Sequence, residues 1–112
     1  MTQAEIDRLR TAKIAPQQLL IGDGWRPSGS EAAMEVISPI DGKAFTSIAS
    51  GSKADTEAAI AAARQSFERG VWRNMPPIAR KAVLLKWADL IAADALALTV
   101  LGVRDNGTEI GM

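Results

Sequence analysis

The spacing of apolar residues along the chain changes once, from a two-residue alternation before residue 52 to a helical period after it. Ahead of the alternation, Ile6, Leu9 and Lys13 lie along one side of a short helix predicted over residues 5–14, and Pro16 ends it. Leu19, Leu20 and Ile21 read as a strand. Gly22, Asp23 and Gly24 read as a tight turn, with Trp25 opening the return strand and residues 27–30 forming a loop. The next hairpin is clearer. Met34, Val36 and Ser38 occupy one face of a strand, and Ala33, Glu35 and Ile37 the other. Pro39 to Gly42 supplies turn chemistry, and residues 44–49 supply the partner strand.

After the switch, Ser52 stands as a helix N-cap with Asp55 three residues later, the spacing of a capping box. Thr56, Ile60, Ala63 and Phe67 form an apolar stripe, and Gly70 is placed to end the helix. A second helix opens at Pro76-Pro77, because a first-turn proline lacks only an N–H that would have no partner there. Its stripe is Leu84, Ala88, Ile91 and Ala95, with Arg80, Lys86 and Asp89 on the wet side. A third begins at residue 94 or 95. It is apolar on most sides through Leu96, Leu98, Val100, Leu101 and Val103. A helix apolar all round is a buried helix, and 112 residues leave little protein to cover it. The pattern therefore predicts antiparallel β-hairpins followed by three α-helices.

Composition narrows the chemistry. Thirteen basic residues balance thirteen acidic ones, without the basic excess of a nucleic-acid binder. Cysteine and histidine are both absent, which excludes disulfides, thiolate metal sites and the common nucleophile–base pairs within these residues. The first residues lack a signal peptide's basic and apolar regions. The longest apolar stretch, 95–103, is far short of the roughly 20 residues of a membrane span. A cytoplasmic protein with no membrane or nucleic-acid partner is the expectation.

Single motifs add little. The glycines at 22 and 24 lack the third glycine and the following helix of a dinucleotide fingerprint. Thr2 is read as part of an ordinary terminus and not as a nucleophile. Trp25, Trp72 and Trp87 read as core or interface packing. Glu57, Glu68 and Asp89 sit on solvent faces and pair with Lys53, Arg64 and Lys86. Asp105 stands apart. On a helix it shares a side with Leu98 and Leu101, so if they point inward it does too, in a last turn whose free carbonyls disfavour a carboxylate. Three readings stay open: it closes the Asn106-Gly107 turn, it pairs with a lysine or arginine, or it holds a cation together with exposed carbonyls. Arg104, its neighbour, points elsewhere on the helix.

Five segments in order, "LLIGDGW" from Leu19, "EVISPIDGK" from Glu35, "AAARQSFERGVW" from Ala61, "PPIARKAVLLKWADLI" from Pro76 and "RDNG" from Arg104, resemble the opening of an NAD(P)-dependent aldehyde dehydrogenase. The flavour is similar to the γ-glutamyl-γ-aminobutyraldehyde and betaine-aldehyde branches. The resemblance implies an α/β parent with a Rossmann-like coenzyme domain. Residues 1–18 would be an N-terminal extension with a short helix, and 19–112 the first part of that domain, incomplete.

The implied parent oxidises an aldehyde to a carboxylic acid through a cysteine thiohemiacetal, passing hydride to NAD or NADP, and works as a homo-oligomer. The family's nucleophilic cysteine, general-base glutamate, cofactor glycines and oxyanion asparagine lie further along, so no catalytic or cofactor-binding residue is assigned here. One site carries over: a structural sodium or potassium ion held by the carbonyls of Val36 and Ile37 and by Asp105, its other ligands coming from the remainder of the enzyme chain. Ser38 stands where the family has asparagine, and Thr108 where it has lysine. Two alternatives are a free-standing α+β protein that docks a partner on its third helix, and a truncated product without function.

Overall fold

The computed structural model describes residues 2–109. Helix α1 (Gln3–Thr11) is set by its first cap. The Thr2 hydroxyl accepts from the Glu5 N–H at 3.3 Å, and the Glu5 carboxylate accepts from the Thr2 N–H at 2.7 Å. This reciprocal pair starts the helix two residues before the apolar pattern predicts. Thr2 is thus a helix cap. The helix also ends three residues early, at Thr11, whose hydroxyl folds back onto the Asp7 carbonyl at 3.0 Å.

Strands β1 (Leu19–Ile21) and β2 (Gly24–Arg26) form the first hairpin, with Leu20 opposite Trp25. Gly22 takes φ +68° in its two-residue turn, a conformation costly for any side chain. Strands β3 (Ala33–Ile37) and β4 (Ala44–Ala49) form the second, with Met34 opposite Ile48 and Val36 opposite Thr46. Ile37 then faces Ala44, so Phe45 is an extra residue in β4, a bulge that the alternating pattern did not reveal. Gln17 adds to the edge of β4: its N–H donates to the Ser47 carbonyl and its carbonyl accepts from Ala49, both at 2.9 Å.

Helices α2 (Lys53–Arg69), α3 (Pro77–Ala93) and α4 (Ala95–Asn106) follow. The Ser52–Asp55 box and left-handed Gly70 bound α2 as expected. Left-handed Gly107 closes α4 and lies against Pro39 of the β3–β4 turn, where an added Cβ would come within 3.2 Å of the proline ring.

Packing departs from the expected pattern. The face of α2 nearest the rest of the chain is the small one, Asp55, Ala58 and Ala62, which lies on the first hairpin beside Gly22. The large stripe turns outward, leaving Ile60 64 % exposed and Phe67 open. Helix α3 exposes Val83, Leu84, Leu85, Trp87, Leu90 and Ile91 alike. Trp25, Trp72 and Trp87 are exposed, so none is core within these residues. Helix α4, expected to be covered, buries only Val100, at 2 % exposure. The surface is 8651 Å², whereas a compact protein of this mass exposes about 6000 Å². The radius of gyration is 17.8 Å against about 13 Å for a compact chain of this length. The molecule is a slab, 46 × 39 × 19 Å, with many large apolar side chains open to solvent.

Candidate functional site

Of the residues singled out for a cation, Val36 and Ile37 end β3 and Asp105 lies near the end of α4, whose Gly107 rests on Pro39 of the β3–β4 turn. Asp105 occupies the last turn of α4 and is exposed. It is not inward as the Leu98–Leu101 argument expected, because both leucines are exposed. The less exposed side of α4 runs instead through Leu96, Val100, Val103 and Arg104, of which Val100 and Arg104 line a groove with Leu9, Ala12 and Ile14 of the α1 segment. These positions are three and four apart, so Asp105 falls one step round the helix. Nor does Asp105 close the turn. The Asn106 side-chain oxygen does so, accepting from the Thr108 N–H at 2.8 Å and from the Thr108 hydroxyl. No ion pair involves Asp105 among the described residues. Its carboxylate is a hard oxygen donor with its coordination free, which suits an alkali cation. Among the described residues no three acidic or imidazole groups cluster, so any cation here would depend on carbonyl oxygens as well.

Arg104 links the corner together. Its guanidinium donates to the carbonyls of Ala12 at 2.7 Å and Leu9 at 3.3 Å at the end of α1. The same group lies 4.9 Å from the centre of the Phe45 ring. Phe45 reaches it from the bulge, opposite the step between Val36 and Ile37. Val36 is half-buried and Ile37 exposed. Ser38, where asparagine was expected, is buried. Its hydroxyl accepts from the Ile40 N–H at 3.3 Å, the turn-forming bond that an asparagine side chain makes.

A second polar construction escaped the sequence reading beyond its helix cap. The buried Asp55 carboxylate accepts from the Ser52 hydroxyl at 2.7 Å, the Ser52 N–H at 2.9 Å, the Gly29 N–H at 2.9 Å and the Ser28 hydroxyl at 3.3 Å. Arg26 stands 3.5 Å away. The Ser52 hydroxyl first, then the two N–H groups, hold this acid well below the usual carboxylate range against the opposing effect of burial. It is a carboxylate acceptor that ties the β2–β3 loop to the start of α2. The same carboxylate fills the N-terminus of α2, which therefore offers no seat to a cofactor phosphate. The Gly22 turn joins two strands, so it offers none either. The described residues do not fit a dinucleotide.

The order of hairpins and helices defines part of a known architecture. The structure overlays γ-glutamyl-γ-aminobutyraldehyde dehydrogenase from Burkholderia cenocepacia with a TM-score of 0.84 at 34 % identity, over 93 % of this chain and 21 % of that one. It overlays betaine aldehyde dehydrogenase from Staphylococcus aureus, a complex with NAD+, with a TM-score of 0.80 at 27 % identity, over 96 % of this chain and 21 % of that one. Phenylacetaldehyde dehydrogenase of Pseudomonas fluorescens is 36 % identical over 102 residues, 91 % of this chain and 20 % of the relative. The aldehyde dehydrogenase family's model matches residues 25–112, and the chain belongs to that family. It spans about a fifth of the length of these relatives. Among the described residues no helix is long and apolar enough to cross a membrane.

Proposed function

We propose that these residues are the first part of the coenzyme-binding domain of an aldehyde dehydrogenase that oxidises an aldehyde to a carboxylic acid with NAD or NADP. Residues 1–18 form its N-terminal extension, and residues 19–112 open the domain. The segment acts as scaffold: it carries neither cysteine nor histidine, and its turns do not seat a cofactor. The observation that carries the reading is the bare apolar side. Exposed Ile60, Leu84, Trp87 and Ile91 form faces that solvent does not stabilise, and further polypeptide of the same enzyme covers them. The enzyme is a cytoplasmic homo-oligomer of the γ-glutamyl-γ-aminobutyraldehyde or betaine-aldehyde branch, a reading supported by the likeness to those two enzymes.

In that enzyme a structural sodium or potassium ion sits at the α4–hairpin corner, held by the Asp105 carboxylate and the carbonyls of Val36 and Ile37, with further ligands from the rest of the protein. The ion would neutralise the carboxylate at the negative end of α4 and fasten that end to the hairpin.

Two measurements test the reading. The intact mass of the native protein should be several times 11.9 kDa. The 112-residue chain, mixed with aldehyde and NAD+ or NADP+, should give no reduced cofactor. Steady turnover by that chain would overturn the scaffold role. A stable native species of 11.9 kDa with its apolar side occupied by another protein would favour a free-standing partner-binding module instead.

A further inference from the structure

We propose that Asn106 and Gly107, at the end of α4, form a self-modification site: the Gly107 nitrogen attacks the Asn106 side-chain amide, ammonia leaves, and water opens the resulting cyclic imide to aspartate or isoaspartate.

The fold brings the reacting groups together. Gly107 closes α4 at φ +75°, and a Cβ there would come within 3.2 Å of the Pro39 ring, so two separate constraints hold this position to glycine. Glycine also leaves its own nitrogen the least shielded, because it has no side chain. The electrophile is the Asn106 amide carbon. Its oxygen accepts from the Thr108 N–H at 2.8 Å and from the Thr108 hydroxyl, a turn that bends the side chain forward over Gly107. Both donors meet the oxygen on which negative charge develops as the nitrogen adds, so they favour the addition. The restraint is the helix cap. The Gly107 N–H donates to the Val103 carbonyl at 2.9 Å, and this bond opens before the proton can leave. It is a single backbone bond at a helix end, where fraying is easiest. Asn106, Gly107 and Thr108 are all exposed, so base and water reach them.

The step balances. A bond forms between the Gly107 nitrogen and the Asn106 Cγ, the Cγ–Nδ2 bond breaks, and the Gly107 proton departs with the ammonia. Two other places in the chain mark what the site needs. Asn74, the other asparagine, is followed by Met75, whose side chain shields the nitrogen. Asp41 and Gly42 repeat the geometry: the Asp41 carboxylate accepts from the Lys43 N–H at 3.1 Å, and Gly42 stands at φ +67° with its N–H on the Ser38 carbonyl at 2.9 Å. A carboxylate, however, repels a nucleophile and has no ammonia to release. Isoaspartate at 106 lengthens the main chain and draws Gly107 off its cap and off Pro39. Aspartate there adds a charge beside Asp105 at the negative end of α4. Either product loosens α4 from the β3–β4 hairpin.

The test ages the native protein in mildly alkaline buffer and follows the tryptic peptide that begins at Asp105, by mass and by separation of the isoaspartyl form. Asn106 should convert to a mixture of aspartate and isoaspartate while Asn74 stays intact. Urea, which removes the cap, should speed conversion by no more than about 10-fold, the effect of one backbone hydrogen bond. Thr108→Val, which lacks the hydroxyl donor, should slow conversion of the native protein by about 5-fold and leave the rate in urea unchanged. If native Asn106 is as slow as Asn74 and reacts only in urea, the cap seals the site and the proposal is overturned. An unchanged native rate in Thr108→Val would overturn the activation assigned to Thr108.

Discussion

The junction at Asp55 and the outer faces of α2 and α3 differ in what they still lack. At the junction every group has its partner: one carboxylate gathers two serine hydroxyls and two backbone N–H groups, with Arg26 beside it. On the outer faces large side chains stand in water, with Ile60, Phe67, Leu84 and Trp87 among them. The contrast teaches which forces act within the segment and which act across its boundary. Around Asp55 the hydrogen bonds are satisfied within these residues. Hydrophobic burial, usually the main favourable contribution to folding, is small within the described residues.

The strongest test of that contrast is a charge on the bare side. Leu84 is 50 % exposed in this structure. Leu84→Glu in the 112-residue chain should change stability by no more than about 0.5 kcal/mol, as an exposed substitution does. In the native enzyme the same change should bury an unpaired carboxylate at a cost of several kcal/mol, and soluble protein should be lost. Soluble expression and chemical denaturation of both forms check it. Equal tolerance in both would mean that nothing covers α3.

The next test strikes the finished side. Asp55→Ala should take the carboxylate acceptor from the Ser28 hydroxyl and the Gly29 and Ser52 N–H groups and remove the reciprocal half of the α2 capping box, leaving the Ser52 cap on the residue 55 N–H. A fall of about 5 °C in the melting midpoint is expected. The pH dependence separates charge from shape. The folded state holds Asp55 far below the unfolded value of about 3.9, so the unfolded chain binds its proton first as pH falls. The contribution is complete above about pH 5 and shrinks as pH falls through the unfolded value toward the folded one. Melting followed between pH 5 and pH 3 should show a steeper loss for the unsubstituted protein than for Asp55→Asn. Glu5, held low by the Thr2 N–H, adds a contribution of the same sign at an exposed site.

These two regions were also unequally legible in the sequence. Ser52, Asp55 and Gly70 could be read because a cap is written within four residues. The Ser28 and Gly29 bonds to Asp55 span 27 and 26 residues, and no local pattern carries them. The apolar stripe of α2 is legible as a stripe, but its direction is not: periodicity says that a face is apolar, not which neighbour it meets, and here the alanine face meets the hairpin. The same ambiguity misplaced Asp105. Leu96 and Val100 are as good an apolar pair as Leu98 and Leu101, and only the position of α1 decides which pair turns inward. Arg104 and Phe45 left no signal, since a bulge depends on how two strands register and an arginine's target can lie anywhere within its reach. At the start, by contrast, the Thr2-to-Glu5 spacing was a readable cap signal that the apolar pattern overshadowed.

The smallest expected effect lies on α2 itself, where charge pairs decorate the exposed face. Glu57 and Glu68 meet Lys53 and Arg64 as the spacing predicts, at 3.7 and 2.6 Å, while Asp89 and Lys86 form no such pair among the described residues. The Arg64–Glu68 pair has good geometry, but its side chains are 70 % and 59 % exposed, so water and salt screen it. Arg64→Ala should cost only about 0.3–0.5 kcal/mol, with the alanine's higher helix propensity offsetting part of that. The loss should shrink further in high salt. Denaturation of the pair of proteins at low and high ionic strength measures it. A cost several times larger in the native enzyme than in the 112-residue chain would place Arg64 beneath covering polypeptide. The covered face would then extend round α2, from the Ile60–Phe67 stripe into the side now counted as wet.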